Sequence, residues 1–244
     1  MAAFRKSHPG SEHPWNAYWD ETNEAGQFGE SPIFDPGLGF GSVGREPGSC
    51  LADGPFANLT SPIGPGFSLE DHCVSRKLNE TAGLMAAQGE VDKCMAFDTY
   101  DDMWFCVYSK PHRGGHGGVG GTMRDALTSP ADPIFYVHHS WVDKLWCDWQ
   151  KSDPETRLYA ISGPNYQSPE VGFPEYPGGM DEEDATIFGS PGEEIRRLQQ
   201  LGKNGDPGNE TTLEHILTTL GVIPDATIND VMDTRGGYLC YEYV

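Results

Sequence analysis

The sequence predicts a mainly α-helical protein with long irregular loops and few short strands, and three observations carry that prediction. Residues 132–150, DPIFYVHHSWVDKLWCDWQ, begin with a good N-cap, Asp132, and a good first helical residue, Pro133, so a helix starts here and runs to about Gln150. His112 and His116 stand four apart, which places them one turn above each other on a helix, where two imidazoles can meet one metal ion. The 31 glycines and 19 prolines among 244 residues are many, yet short of the level that implies disorder, so irregular loops should surround a small helical centre.

The stretch from Pro111 to Gln150 also holds four of the eight histidines. A third ligand beside His112 and His116 has to come from the second helix, which carries His138 and His139. Neighbouring residues on a helix point about 100° apart, so these two are not expected to serve one ion without breaking the helix. His139 shares a face with Phe135, Asp143 and Trp146, which puts a ligand, an aromatic neighbour and a carboxylate on one stripe. His139 is therefore the expected ligand and His138 is expected to turn away. Asp143 can accept a hydrogen bond from a ligand imidazole and fix its tautomer; a surface pair with Lys144 is the alternative.

These residues carry a resemblance. H-x-x-x-H, then a Gly-Gly stretch with a Met (Gly120, Gly121, Met123), then D-P-x-F-x-x-H-H-x-x-x-D-R/K-x-W from Asp132 to Trp146, resembles the second copper-binding half, CuB, of the type-3 copper family. That family comprises tyrosinases, catechol oxidases and molluscan hemocyanins. The resemblance implies copper on His112, His116 and His139, and half of a four-helix-bundle core. It implies phenolic substrates (phenols, o-diphenols or o-aminophenols) oxidised to quinones with O2 by two copper ions on three imidazoles each. Copper has the highest affinity of the common first-row candidates, and zinc on three histidines is its chemical competitor. Arg113, directly after the first ligand, takes a position that faces the substrate entrance in the family, where a guanidinium could attract a phenolate.

Residues 15–56 contain Tyr18-Trp19-Asp20, Ser31-Pro32-Ile33-Phe34-Asp35-Pro36 and Asp53-Gly54-Pro55-Phe56, an order similar to the linker after the first copper half, CuA, of short fungal tyrosinase-like proteins. No CuA ligand set is expected in this chain. His8 and His13 lie in a Pro- and Gly-containing tail where a helical pair is disfavoured. Residues 66–79, where a Cys is followed by an Arg and an Asn, read as scaffold, and His72 lies outside the copper pattern. Residues 98–108 alternate in a helical manner and should pack beneath the site, with Tyr108 near the place where family members carry a water-orienting glutamate. Short helices are expected over residues 193–201 and 213–220, the second carrying His215. The ending resembles the C-terminus of the short fungal members.

The whole is expected to form one domain, 1–244, with an atypical tail over residues 1–17. A balance of 16 basic against 37 acidic residues, net charge −21, repels nucleic acid and anionic membrane surfaces, so neither is an expected partner. No apolar run approaches the roughly 20 residues that span a bilayer. Six cysteines without a C-x-x-C pair resemble a disulfide set, with buried free thiols as the alternative, and sequons stand at Asn58, Asn79 and Asn209. Together with the family they point to secretion, although the N-terminal residues contain no apolar signal-peptide core. The acidic run 181–184 reads as a solvated surface.

Overall fold

A computed structural model describes residues 16–44, 48–66, 68–163, 206 and 210–243. His8, His13, Asn209, the acidic run 181–184 and the helix expected over 193–201 lie outside the described residues. Within them the protein is mainly helical with long loops and two-residue strands, as the sequence predicts. The elements in order are β1 (Thr60–Ser61), β2 (His72–Cys73), α1 (Glu80–Gly83), α2 (Gln88–Met95) and α3 (Tyr100–Val107). There follow α4 (Arg113–Val119), α5 (Ile134–Ser152), α6 (Pro154–Arg157), β3 (Ile216–Leu217), β4 (Ala226–Thr227) and α7 (Ile228–Val231). The chain groups into two compact units.

The first unit comprises Asn16–Ala96 and Trp104–Trp146. Its core gathers Trp19, Phe28, Ile33, Phe34, Leu51, Val74, Val119, Met123, Ile134 and Trp141, all buried. The start of α5 is fixed as the Asp-Pro signal predicts: Asp132 Oδ1 accepts from the Ile134 backbone N–H at 3.0 Å. The same carboxylate is gripped by Arg76, Nε to Oδ2 at 2.8 Å and Nη2 to Oδ1 at 2.9 Å, with both side chains fully buried. Arg76 also donates to the carbonyl of Gly41 at 2.7 Å and lies over the Phe34 ring, which joins the irregular N-terminal segment to the foot of α5. β1 and β2 pair antiparallel, and the disulfides Cys50–Cys73 and Cys94–Cys106 close loops within this unit.

Helix α4 is built from RGGHGGV, residues of poor helix propensity, and packing overrides propensity here. A Cβ on Gly118 would stand 2.4 Å from the Phe28 ring and 3.0 Å from Gly83 Cα, so only glycine lets α4 lie this close to α1 and the Phe28 segment. The helix stops at Gly120, whose φ of 63° is open to glycine, and whose N–H still reaches the His116 carbonyl at 3.0 Å.

The second unit comprises Phe97–Met103 and Cys147–Val244 as far as it is described. Trp149 is buried, donates its indole N–H to the Phe97 carbonyl at 2.8 Å and carries the Arg157 guanidinium over its ring. Gln150 donates to the carbonyls of Leu158 and Met232. Residues 213–220 are not the expected helix. Ile216–Leu217 form β3, paired antiparallel with β4, because β-branched neighbours favour an extended chain and positive φ at Leu220 and Gly221 turns it back. Of the six cysteines, Cys147 and Cys240 are free thiols.

Candidate metal centre

Helix α3 runs through a π turn, Tyr108–His112, into α4. This wide turn carries the first histidine and stacks Tyr108 on the His112 ring at a centroid distance of 5.4 Å. One helical turn later comes His116, and α5 brings His138 and His139. One ligand nitrogen from each of these four imidazoles lies within 4.8 Å of the others, which makes a single cluster that could hold a metal ion. The three histidines selected from the sequence thus lie together, with His116 Nε2 only 3.2 Å from His139 Nε2.

His138 is not turned away. Its ring stands 4.7 Å from His116 and 5.0 Å from His139, centroid to centroid, on an unbroken helix. The helical phase separates adjacent Cβ directions by about 100°, but it does not fix the rings, whose rotamers swing two long side chains back toward a shared point. His138 is fully buried, and its Nδ1 lies 2.5 Å from Oε1 of Glu21, a residue 117 positions earlier in the chain. Glu21 is fully buried too. Its segment is pinned to α5 by the Trp19 N–H, which donates to the Val137 carbonyl at 3.0 Å. Sequence reasoning passed over Glu21, and the one available signal was a carboxylate next to the aromatic pair Tyr18-Trp19.

The electrostatics favour donor nitrogens. Burial pushes His116, His138 and His139 down to about 3, and His112 well below its ordinary value, helped by the neighbouring imidazoles. The rings are therefore neutral near pH 7, the form in which imidazole binds a cation. Burial likewise raises the Glu21 carboxyl well above its ordinary value, with Asp20 adding to the rise, and its Oε1 faces His138 Nδ1. At His116 the tautomer is decided: Nδ1 faces the Met123 carbonyl at 2.5 Å, an atom that can only accept, so Nδ1 carries the proton and Nε2 the lone pair. An all-imidazole set of neutral donors fits copper or zinc.

Phe135 packs on His139 at 4.1 Å and meets His116 edge-on at 5.9 Å, centroid to centroid. Asp143 lies one turn beyond His139 and is half-buried, and the Glu21 carboxylate meets the His138 imidazole. Arg113, the first residue of α4, is buried. His72, as the sequence places it, lies apart from the cluster and bonds to the Glu70 carbonyl. His215 is half-buried and paired with Asp206 in the second unit.

Fold and cluster together define a class: helical proteins that present a half-buried multi-histidine site of the kind transition metals take. Within that class the chain belongs to the tyrosinase family, because the common central domain of tyrosinase matches residues 9–152. It is 32% identical to the tyrosinase-like protein phomQ1 of Diaporthe leptostromiformis over 93% of this chain and 56% of that protein. Against the oxidase hkm6 of Aspergillus hancockii the identity is 26%, over 94% of this chain and 84% of that protein. The structure of a polyphenol oxidase (mutant G292N) from Thermothelomyces thermophila is similar, with a TM-score of 0.63 and 25% identity over 93% of this chain and 65% of that one. The chain spans about half the length of several of the curated relatives it matches.

Proposed function

We propose that this chain is a copper-binding oxidoreductase component that acts with O2 on phenols, o-diphenols or o-aminophenols. Its copper ligands are His112, His116 and His139. The observation that carries the reading is the half-buried, neutral imidazole cluster in a chain of the tyrosinase family. Copper, when bound, supplies one-electron redox chemistry between O2 and substrate. The chain's own residues do the rest. The Met123 carbonyl holds the His116 tautomer, Phe135 packs against the His139 ring, and Asp143 is proposed to accept a hydrogen bond from a ligand imidazole and fix its tautomer.

The family's oxidation of a phenol draws on two copper ions, and the described residues hold one histidine cluster. The reading is therefore that of one copper half, with a second three-histidine set needed for turnover. A second reading, favoured by that same single cluster, is a metal-binding protein without turnover. Two disulfides and the sequons support an oxidising, secretory setting. The net charge of −21 argues against nucleic acid and anionic membranes as partners.

The test is metal analysis of the purified chain after copper loading, together with quinone formation from catechol when a CuA half of the family is supplied. Copper retained by the wild-type chain and lost on His139→Ala, with quinone formed only in the reconstituted pair, supports the first reading. Copper retained with no turnover in the pair supports the second.

A further inference from the structure

We propose that Tyr108 and Pro111 are positioning residues for the first ligand: the proline opens the helix into a π turn, and the turn lays the Tyr108 ring on His112 and turns that imidazole toward His116 and His139. This rests on the reading of His112, His116 and His139 as ligands and adds to it what holds His112 in place.

Trp104, Tyr108, His112 and His116 recur at every fourth position. On an α-helix each step of four overshoots a full turn by about 40°, so three steps would carry His116 about 120° round the axis from Trp104. The rings do not drift apart in this way. Trp104 stacks on Tyr108 at 5.4 Å, centroid to centroid, with 10° between the planes, and Tyr108 stacks on His112 at 5.4 Å and 22°. His112 then meets His116 edge-on at 4.6 Å. The π turn Tyr108–His112 keeps this column in line. Its i→i+5 pairing takes more residues per turn than the α-helix, which brings a side chain four positions on back over the one before it.

Pro111, buried inside the turn, explains why the helix widens at this point. A proline within an α-helix has no N–H for the carbonyl four residues earlier, here that of Val107, and its ring collides with that carbonyl. Pairing i→i+5 passes the Val107 carbonyl to the amide of residue 112 and relieves both problems. The chain stays helical throughout, with φ −58° and ψ −49° at His112. The consequence falls on the ligand. His116 is held by the Met123 carbonyl and His139 by Phe135. His112 has no such hold: its Nδ1 is buried without a well-formed hydrogen bond, and the Tyr108 backbone lies only close enough to favour a ring proton. Outside the cluster, the stacked face of Tyr108 is what fixes the plane of its ring.

The experiment uses Cu2+ alone as the probe, added to the whole 244-residue chain. The dissociation constant is read by competition with a chelator, and electron spin-echo modulation from the remote ring nitrogens counts the imidazoles on Cu2+. The wild type should show three and His112→Ala two. Tyr108→Leu should bind Cu2+ about 10-fold more weakly, the lower end of the usual cost of losing a group that orients a ligand, and should also show two. Tyr108→Phe, which keeps the ring and loses only the hydroxyl, should retain three imidazoles and the wild-type affinity. Pro111→Ala, which restores an N–H to the Val107 carbonyl, should change both readouts in the same direction as Tyr108→Leu. A purely structural role lowers stability and leaves the count at three, so thermal unfolding of each variant is followed by circular dichroism. Should Tyr108→Leu fail to fold, Pro111→Ala and Tyr108→Phe still decide the matter. Three imidazoles with unchanged affinity in Tyr108→Leu or Pro111→Ala, or a count of two in Tyr108→Phe, overturns the inference and leaves the ligand reading standing. A wild type without three imidazoles, or Cu2+ binding unchanged by His112→Ala, overturns both.

Discussion

At His116 one backbone atom, the Met123 carbonyl, determines which ring nitrogen is free to bind. Replacing His116 by Ala removes the donor whose tautomer is most firmly set, so copper binding, expected at about one equivalent, should fall to little above background in metal analysis of dialysed protein. A second residue titrates at the opposite end of the pH scale. Burial pushes the Tyr100 phenol up to about 12, from an ordinary value of 10. Between those values the unfolded chain gives up the proton while the folded one keeps it, so stability is lost as pH rises from 10 toward 12. Denaturant midpoints measured across that range should fall, and less steeply in Tyr100→Phe, which has no proton to lose. The histidines show where residue-level reading succeeds and where it stops. The spacing of His112 and His116 and the packing of Phe135 on His139 were legible because they depend on backbone phase. The inclusion of His138 was not, because it depends on a rotamer and on Glu21, whose arrival from 117 residues away leaves no periodic trace.

The element that best matches its sequence is α5, expected from Asp132 to about Gln150 and found over Ile134–Ser152. Its local signals agree: a cap, a proline at the entry, and an apolar stripe. What the sequence did not reveal is that the capping carboxylate is also the buried partner of Arg76. Removing one member strands the other in the core, so Arg76→Met or Asp132→Ala alone should destabilise the fold by about 3–5 kcal/mol in urea unfolding, and the double variant should recover part of that loss. If either single change costs under about 1 kcal/mol, the pair is not the anchor described. α4 teaches a different lesson. Its four glycines look like a loop by propensity, and they form a helix because packing against Phe28, Gly83 and Glu21 leaves no space for a Cβ. Residues 213–220 differ in the opposite sense: a short helix is expected there, yet Ile216–Leu217 pair with Ala226–Thr227 and are extended.

For the molecule as a whole, the described residues provide one cluster of imidazoles and no other group of three or more metal-capable side chains. Reducing O2 by two electrons draws one from each of two Cu(I) ions, and the four imidazoles of His112, His116, His138 and His139 are too few for two sites of three. The exposed aromatic residues Trp104, Phe105 and Tyr136 also leave apolar surface that a further part of the site could cover. This chain alone, loaded with copper, is therefore expected to form quinone from catechol no faster than free copper at the same concentration, and to aggregate more readily than it does when a CuA half is supplied. Both properties can be followed together, quinone by absorbance and association by light scattering, in the presence and absence of the added half. Quinone production by a monomer of the chain on its own, abolished by His139→Ala, would mean that groups outside the cluster complete a second copper site. The single-half reading would then have to be given up.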